Sequence, residues 1–242
     1  MANAHKRTLS ACFYGFEKPY EEYLQIMHDL HDKISQDSHE ETLMLLEHKH
    51  VITLTRQHQE RSLLTSVQAI KNDGIDLCIA DRGGDVTFHG PGQLVGYPLI
   101  SMQKSPELSL ESYVRGLENA LLKSLHTLGL KKPQKIPGFT GIWIKSVDRQ
   151  KLVAKKLCAI GIGVKNGVTK HGFALNLTIN AQPFVKHIIP CGLKDRGIAT
   201  VQEAFLKEHL EMPDYLVIVK EISKNIAEAF SLELCCKGLI HG

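Results

Sequence analysis

Little in this chain is extreme, and the shortages are informative. Of 242 residues one is tryptophan and only 6% are aromatic, while Lys and Arg together outnumber Asp and Glu by only 29 to 26. So slight a basic excess gives no electrostatic footprint for nucleic acid and no nucleic-acid-reading motif accompanies it, although acidic protein partners stay open. No apolar run is long enough to cross a bilayer, so no membrane role is expected. The opening Met-Ala-Asn-Ala-His-Lys-Arg-Thr-Leu-Ser lacks the apolar stretch of a secretory signal. The six cysteines, at 12, 78, 158, 191, 235 and 236, show no framework spacing and no Cys-x-x-Cys pair. Reduced thiols in a cytoplasmic protein are therefore expected, with an organellar address for the short basic start as the alternative. A P-loop, a His-x-x-x-His pair and a His/Cys cluster are all missing, which argues against a nucleotide-phosphate cradle and against a metal site. No repeat, low-complexity segment or linker divides the chain, so a single domain over residues 1–242 is expected.

What the chain does have is concentrated in Arg82-Gly-Gly-Asp-Val-Thr-Phe-His-Gly-Pro-Gly-Gln-Leu-Val-Gly-Tyr-Pro98. Glycines at 83, 84, 90, 92 and 96 remove Cβ atoms where backbone turns sharply or presses against a ligand. Between and beside them stand Arg82, Thr87, His89 and Gln93. Val86 and Phe88 alternate with Asp85, Thr87 and His89, which reads as a short strand entering a Gly-Pro-Gly turn. Space-opening residues beside a few orienting polar groups make a binding wall.

Strand signals cover residues 9–14, 42–47, 51–55, 94–100 and 139–144. Helical spacing runs from Pro19 through Tyr23, Leu24, Met27, Leu30 and Ile34, and again over 106–128 and 213–230, with a short helix near 64–70. Alternating runs at 156–165 and 168–179 flank Asn166-Gly167, a strong hairpin signal. Thr200 with Glu203 makes a capping box. Hairpins dominate over crossover units, so the expected fold class is α+β: a mixed, largely antiparallel sheet flanked by helices.

Cys191 sits in Pro-Cys-Gly, where proline and glycine hold a bend and leave the sulfur unshielded. It is either a small buried thiol or a nucleophile. Cys12, Cys78 and Cys158 lie in apolar strand-like runs that suit core roles. Lys156 opens the first hairpin strand and by alternation shares a face with Cys158, Ile160, Ile162 and Val164. An ammonium at the edge of an apolar face either snorkels to water or pairs with an anion. Beside a thiol it would raise the thiolate fraction about tenfold, for about 2 kcal/mol of interaction. His89 and His171, each followed by glycine, read as site-lining groups, with proton transfer as the alternative. Backbone N–H groups near Gly172 would suit an acyl oxyanion, or that glycine serves backbone geometry alone.

These segments together resemble the octanoyltransferases of lipoate biosynthesis, the lipoate–protein ligase B family. The resemblance rests on the 82–98 segment and on Leu43-Met-Leu-Leu-Glu-His48, Gly141-Ile-Trp143, Lys156-Leu-Cys-Ala-Ile-Gly161, His171-Gly-Phe-Ala-Leu-Asn176 and Pro190-Cys-Gly192. It implies the fold of biotin and lipoate ligases and a ping-pong transfer without ATP, metal or other cofactor. By that resemblance Cys191 carries the octanoyl thioester and Lys156 lowers its pKa and helps manage the proton of the incoming amine. Arg82, Gly83, Gly84, Asp85, Val86, Thr87, Phe88 and His89 would line the acyl pocket, with Ala159, Ile160, Gly161, Gly172, Phe173 and Ala174. The implied partners are octanoyl-acyl carrier protein as donor and, as acceptors, lipoyl domains of 2-oxoacid dehydrogenase E2 subunits and the glycine cleavage H protein; a monomer is expected. Asp85 stands where many relatives have glutamine and Phe173 where leucine is common, and the first would put a carboxylate near the pocket mouth. The rivals are an ATP-dependent lipoate or biotin ligase of the same fold, a non-catalytic carrier or lipoyl-domain binder, and an amidotransferase using two protein substrates.

Overall fold

Glu41–Leu46 is buried from end to end and organises the molecule around itself. Leu43 and Leu45 turn to one side of the sheet, Met44 and Leu46 to the other, so apolar layers form on both faces. The computed structural model describes residues 7–55, 62–148, 151–189 and 197–236. In chain order the elements are β1 (Thr8–Phe13), α1 (Tyr20–Ser35), β2 (Glu41–Leu46), β3 (Val51–Thr55), α2 (Val67–Asn72), β4 (Asp76–Ala80), β5 (Thr87–His89), β6 (Gln93–Leu99) and α3 (Leu110–Thr127). There follow β7 (Gln134–Ile136), β8 (Phe139–Asp148), β9 (Lys151–Lys165), β10 (Val168–Asn176), α4 (Gln182–His187), β11 (Gly197–Ile198), α5 (Val201–Lys207), α6 (Tyr215–Ala229) and β12 (Glu233–Cys235).

The larger sheet runs β12-β1-β2-β6-β10-β9-β8-β7, with β11 added along β9. The pairs β12–β1, β1–β2 and β11–β9 are parallel; from β2 to β7 every pairing is antiparallel. A small sheet, β4-β3-β5, lies beside it. The fold is thus α+β around a mixed, mainly antiparallel sheet, as the hairpin-rich pattern requires. No helix among the described residues is long and apolar enough to cross a membrane.

Helices cover both faces. α1 buries Tyr20, Tyr23, Met27, His31 and Ile34, one stripe at helical spacing, over Met44, Val95, Tyr97 and Ala174. On the other face Leu117, Leu121 and Leu125 of α3 meet Ile218, Ile222 and Ile226 of α6 above Leu43, Leu94, Ile142 and Leu175. A leucine truncated to alanine in such a layer costs about 2–5 kcal/mol. α3 begins at Leu110, not at Pro106: Ser109 caps it by accepting from the Ser112 N–H, and Leu108 N–H still bonds Ser105 in the preceding turn. The Thr200–Glu203 capping box closes reciprocally and starts α5.

β9 begins at Lys151, not at Lys156, because β8 continues to Asp148 and pairs with Lys151 through Cys158. That pairing contains a bulge. Ile142 opposes Cys158 and Trp143 opposes Lys156, which leaves Leu157 as the extra residue on β9. Lys156 therefore shares its face with Trp143, not with Cys158 as strict alternation predicts.

Candidate active site

A cavity of about 490 Å3 opens between the Arg82–His89 segment and the β8–β9–β10 surface, within the size range of small-molecule sites. Its upper wall is Arg82, Gly83, Gly84, Val86, Thr87 and His89; Ala159, Ile160 and Gly161 of β9 and Gly172, Phe173 and Ala174 of β10 face them. Lys156 also lines it. Sequence reasoning thus brings together most of its site residues, but Asp85 and Phe88 are not in the lining. The Phe88 ring is fully buried with Ile52, Leu54 and Phe184 under the small sheet. The Asp85 carboxylate accepts from Ser62 Oγ (2.8 and 3.0 Å) and from the Val86 N–H (2.7 Å), which turns it into the loop before α2. Cys191 lies outside the described residues.

The wall is shaped by missing side chains. A Cβ on Gly161 would sit 2.9 Å from the Gly83 carbonyl oxygen, and one on Gly83 would sit 3.1 Å from the carbonyl of Ile162. The Gly83 N–H bonds that same Ile162 carbonyl at 2.8 Å. Two glycines facing each other therefore let the loop lie directly on β9. Arg82 secures the loop from above: its guanidinium donates to the Asp85 carbonyl (2.8 Å) and to Thr53 Oγ1 (2.8 Å). On β6, Gly96 is paired with Phe173, and the phenyl ring occupies the space a Cβ would need.

At the β8–β9 bulge the Lys156 ammonium stands 4.6 Å from the centre of the Trp143 ring, a cation–π contact that fixes the long side chain over the cavity. β11 lies beside it. Ile198 of β11 is in register with Lys156, the Ala199 N–H bonds the Lys156 carbonyl at 3.0 Å, and Ile198 itself lines the cavity. On the approach side, the Ile189 N–H bonds the Ser62 carbonyl at 2.9 Å, two residues before Cys191 in sequence.

The polar floor is neutral and buried. His89 Nδ1 lies 2.7 Å from Gln93 Oε1, Gln93 Nε2 donates to Asn176 Oδ1 at 2.9 Å, and Asn176 Nδ2 reaches the Lys156 carbonyl at 3.3 Å. Burial, with the neighbouring His48 adding to it, pushes the His89 pKa well below its ordinary value, and burial lowers His48 to about 4. His171 Nε2 bonds Asp81 at 2.7 Å, and the Lys170 ammonium pairs with the other carboxylate oxygen. The His171 bond first, and Lys170 with it, hold Asp81 far below the usual carboxylate range. His28, Asp81 and His171 bring donor atoms within 4.8 Å of one another. That carboxylate already carries an ammonium partner, and the added positive charge beside it opposes a divalent cation.

Of the described cysteines, Cys158 is fully buried against Ile142 and Leu175, and burial drives its thiol strongly upward, which marks an inert packing residue. Burial also raises Cys78 to about 11. Gln93, Asn176, Trp143 and Tyr20 also line the cavity, and of these the sequence reading named only Gln93, as a polar group of the glycine-rich wall. Buried amides inside apolar strands were the available signal for the first two, since such groups persist only when hydrogen-bonded.

The fold around this cavity has the architecture of lipoate ligases. Over 96% of the chain it matches a bipartite lipoate protein ligase from Thermoplasma acidophilum, solved with its E2 lipoyl domain (TM-score 0.69, 14% identity, 87% of that chain). A lipoate-protein ligase A bound with ATP matches as well (TM-score 0.68, 15% identity, 96% of this chain and 89% of that one). Identities so low speak for the fold alone. In sequence, the chain is 34% identical to an octanoyltransferase of Clostridium kluyveri, over 89% of this chain and 85% of that protein. It is 39% identical to an octanoyltransferase of Alkaliphilus metalliredigens, over 89% and 92%. Residues 19–230 match the lipoyl protein ligase A/B catalytic domain, and the chain belongs to that family.

Proposed function

We propose that this acyltransferase takes an octanoyl group from octanoyl-acyl carrier protein onto Cys191 and passes it to a specific lysine of a lipoyl domain. The Cys191 thiolate attacks the carrier thioester, the carrier's thiolate leaves, and an octanoyl-enzyme thioester remains. The acceptor lysine then attacks that carbonyl, forming an amide and releasing the Cys191 thiolate. Lipoyl domains of E2 subunits and the glycine cleavage H protein are the acceptors, and a cytoplasmic monomer with one catalytic domain is the working form.

The observation that carries this reading is the position of Lys156. The bulge at Leu157 turns its ammonium to the cavity, and β11, which follows the Cys191 segment, is hydrogen-bonded along it. The chain from Cys191 to Gly197 spans at most about 20 Å, which is a bound compatible with the sulfur meeting that ammonium. A cation held there stabilises a thiolate over a thiol. Thioester exchange is nearly isoenergetic and the step to an amide runs downhill, so no nucleotide is required.

Intact-mass measurement after incubation with octanoyl-acyl carrier protein tests the reading. The chain gains one octanoyl mass and Cys191→Ala gains none. Turnover of Cys191→Ala at the parental rate removes the nucleophile. Efficient octanoylation of a lipoyl domain from free octanoate and ATP, without a carrier, replaces this reading with the ATP-dependent ligase.

A further inference from the structure

The lysines of this chain are unevenly spread. Residues 131–147 hold Lys131, Lys132, Lys135 and Lys145 and no acidic residue, in a chain where 29 basic residues stand against 26 acidic ones. The fold gathers three of them. Lys131, Lys132 and Lys145, with Pro133 and Gln134, line a groove of about 370 Å3 where β7 forms the edge of the large sheet. All three are exposed, and among the described residues no ion pair or hydrogen bond engages their ammoniums. Lys135 is tied instead to Asn119 Oδ1. The Glu208 carboxylate accepts the backbone N–H groups of Lys131 (2.9 Å) and Lys132 (3.0 Å), which leaves one carboxylate against three ammoniums. Like charges held together repel, so the groove favours an anionic occupant.

This groove adjoins the candidate active site. Gln134 of β7, which lines the groove, is in register with Trp143 of β8, which lines the cavity, so one cross-strand pair serves both walls. Along β8, Ile142 and Ile144 enter the core under α3 and α6, whereas Trp143 turns to the cavity. Pairing with β9 is unbroken from Trp143 to Lys145, so Lys145 points to the cavity side, two residues or about 7 Å beyond the tryptophan. Two large apolar side chains, Phe139 at 40% exposure and Leu110 at 50%, also line the cavity while facing solvent. A cationic groove and an apolar mouth thus meet on one side of the sheet.

The two protein substrates of the proposed reaction bring opposite charges. The donor's thioester hangs on a phosphopantetheine arm that carries an anionic phosphodiester, and the acceptor presents a lysine ammonium. A lysine-lined approach attracts the first and repels the second. We infer that the Lys131–Lys132–Lys145 groove docks the anionic face of the acyl carrier, so that its arm follows β8 past Trp143 into the cavity. This rests on the carrier-as-donor reading and adds where the carrier sits. Exposed charges of this kind act through steering, so they set the encounter rate and its salt dependence.

Binding without chemistry tests this. Holo-acyl carrier protein, carrying the arm but no octanoyl group, is titrated against the full chain at low salt, and a lipoyl domain is titrated in parallel. In Lys132→Glu/Lys145→Glu the association rate with the carrier falls about 10-fold or more, while lipoyl-domain affinity stays within about twofold of the parent. Added salt weakens carrier binding to the parent and has less effect on the variant. Lys220→Glu/Lys224→Glu makes the same change of net charge on α6, which packs the opposite face, and leaves carrier binding at the parental level. Parental carrier binding by Lys132→Glu/Lys145→Glu overturns the inference. So does an equal loss in the α6 variant, or a loss confined to the lipoyl domain. If the reversal variant melts below the parent, Lys132→Gln/Lys145→Gln decides by the same readout, and unchanged carrier binding there is fatal. A parent that binds the holo-carrier yet never gains the octanoyl mass removes the acyl-enzyme reading and leaves the docking site standing. A parent that gains the mass while its carrier binding ignores these lysines does the reverse.

Discussion

Lys156 and Cys158 lie on opposite faces of β9, although two residues apart. Trp143 opposes the lysine and Ile142 opposes the cysteine, with Leu157 bulged between them. In regular pleating both side chains would share a face, and either the ammonium would enter the apolar core or the core thiol would enter the cavity. The single extra residue resolves that conflict. It gives the cavity a cation and the core an inert sulfur.

The first prediction follows from that cation. If the Lys156 ammonium acts on Cys191, Lys156→Met takes away the charge that favours the thiolate, so the thiol ionises at higher pH. The rate of iodoacetamide addition at Cys191, followed by peptide mass across pH, should show its midpoint displaced upward and a lower rate at neutral pH. Trp143→Leu, which keeps the lysine but removes its aromatic platform, should displace the midpoint in the same direction by less. An unmoved midpoint in Lys156→Met rejects the electrostatic role.

A second prediction concerns packing between β6 and β10. A Cβ at position 96 would overlap the Phe173 ring, its cross-strand partner. Gly96→Ala should cost about 1–3 kcal/mol, as overpacking of a filled core does. Phe173→Leu lacks the two ring atoms nearest that Cβ. The double variant Gly96→Ala/Phe173→Leu should therefore recover much of the loss in a urea titration, and additive losses would show that the ring is not the obstacle.

Acid stability gives a third. His48, His89 and His171 are buried with pKa values below the ordinary histidine range, His48 at about 4. Each is neutral in the fold yet binds a proton in the unfolded chain below about pH 6.5. The unfolded state then holds more protons, so stability is complete above that pH and falls on acidification toward the folded values. Each histidine contributes up to about 1.4 kcal/mol per pH unit in that window. Asp81, whose carboxyl is depressed by His171 and Lys170, adds a loss of the same sign only below about pH 4. Urea midpoints between pH 7.5 and about 4.5 should decline steeply, and His48→Asn should show a lower midpoint at pH 7.5 with a shallower decline. A pH-independent midpoint would mean these rings are not held neutral.

Much of this was legible in the sequence for a physical reason. Periodicity located α1, α6 and the β9–β10 hairpin because their apolar stripes are long and Asn166-Gly167 supplies the positive φ angles that a tight turn needs. The Arg82–His89 wall was legible because glycine runs have few structural uses. β7, β11, β12 and α4 were not anticipated, and β4 only as the strand-like run around Cys78. Each spans six residues or fewer, and most owe their form to a tertiary neighbour: β11 to β9, β12 to β1, β4 to β3. The facing of Lys156 was misjudged because a bulge leaves no signature in alternation. Asp85 and Phe88 join the pocket only through the family resemblance of the whole 82–89 run, whereas their side chains serve the loop and the small core behind it.

That placement of Asp85 supports the last prediction. Its carboxylate holds Ser62 Oγ, and the Ser62 carbonyl in turn accepts the N–H of Ile189, two residues ahead of Cys191. The carboxylate thus reaches the cysteine segment through the loop before α2, without touching the cavity. Asp85→Ala should slow octanoyl loading of Cys191 while leaving affinity for free octanoate in the cavity close to the parent. Ser62→Ala removes the same link from the other side, each change costing about 1 kcal/mol of stability. Because both sever one connection, the double variant should lose little more than either single one, with a coupling of about 1 kcal/mol in the cycle. Additive effects on loading, or a loss of octanoate binding in Asp85→Ala, would return Asp85 to the pocket mouth.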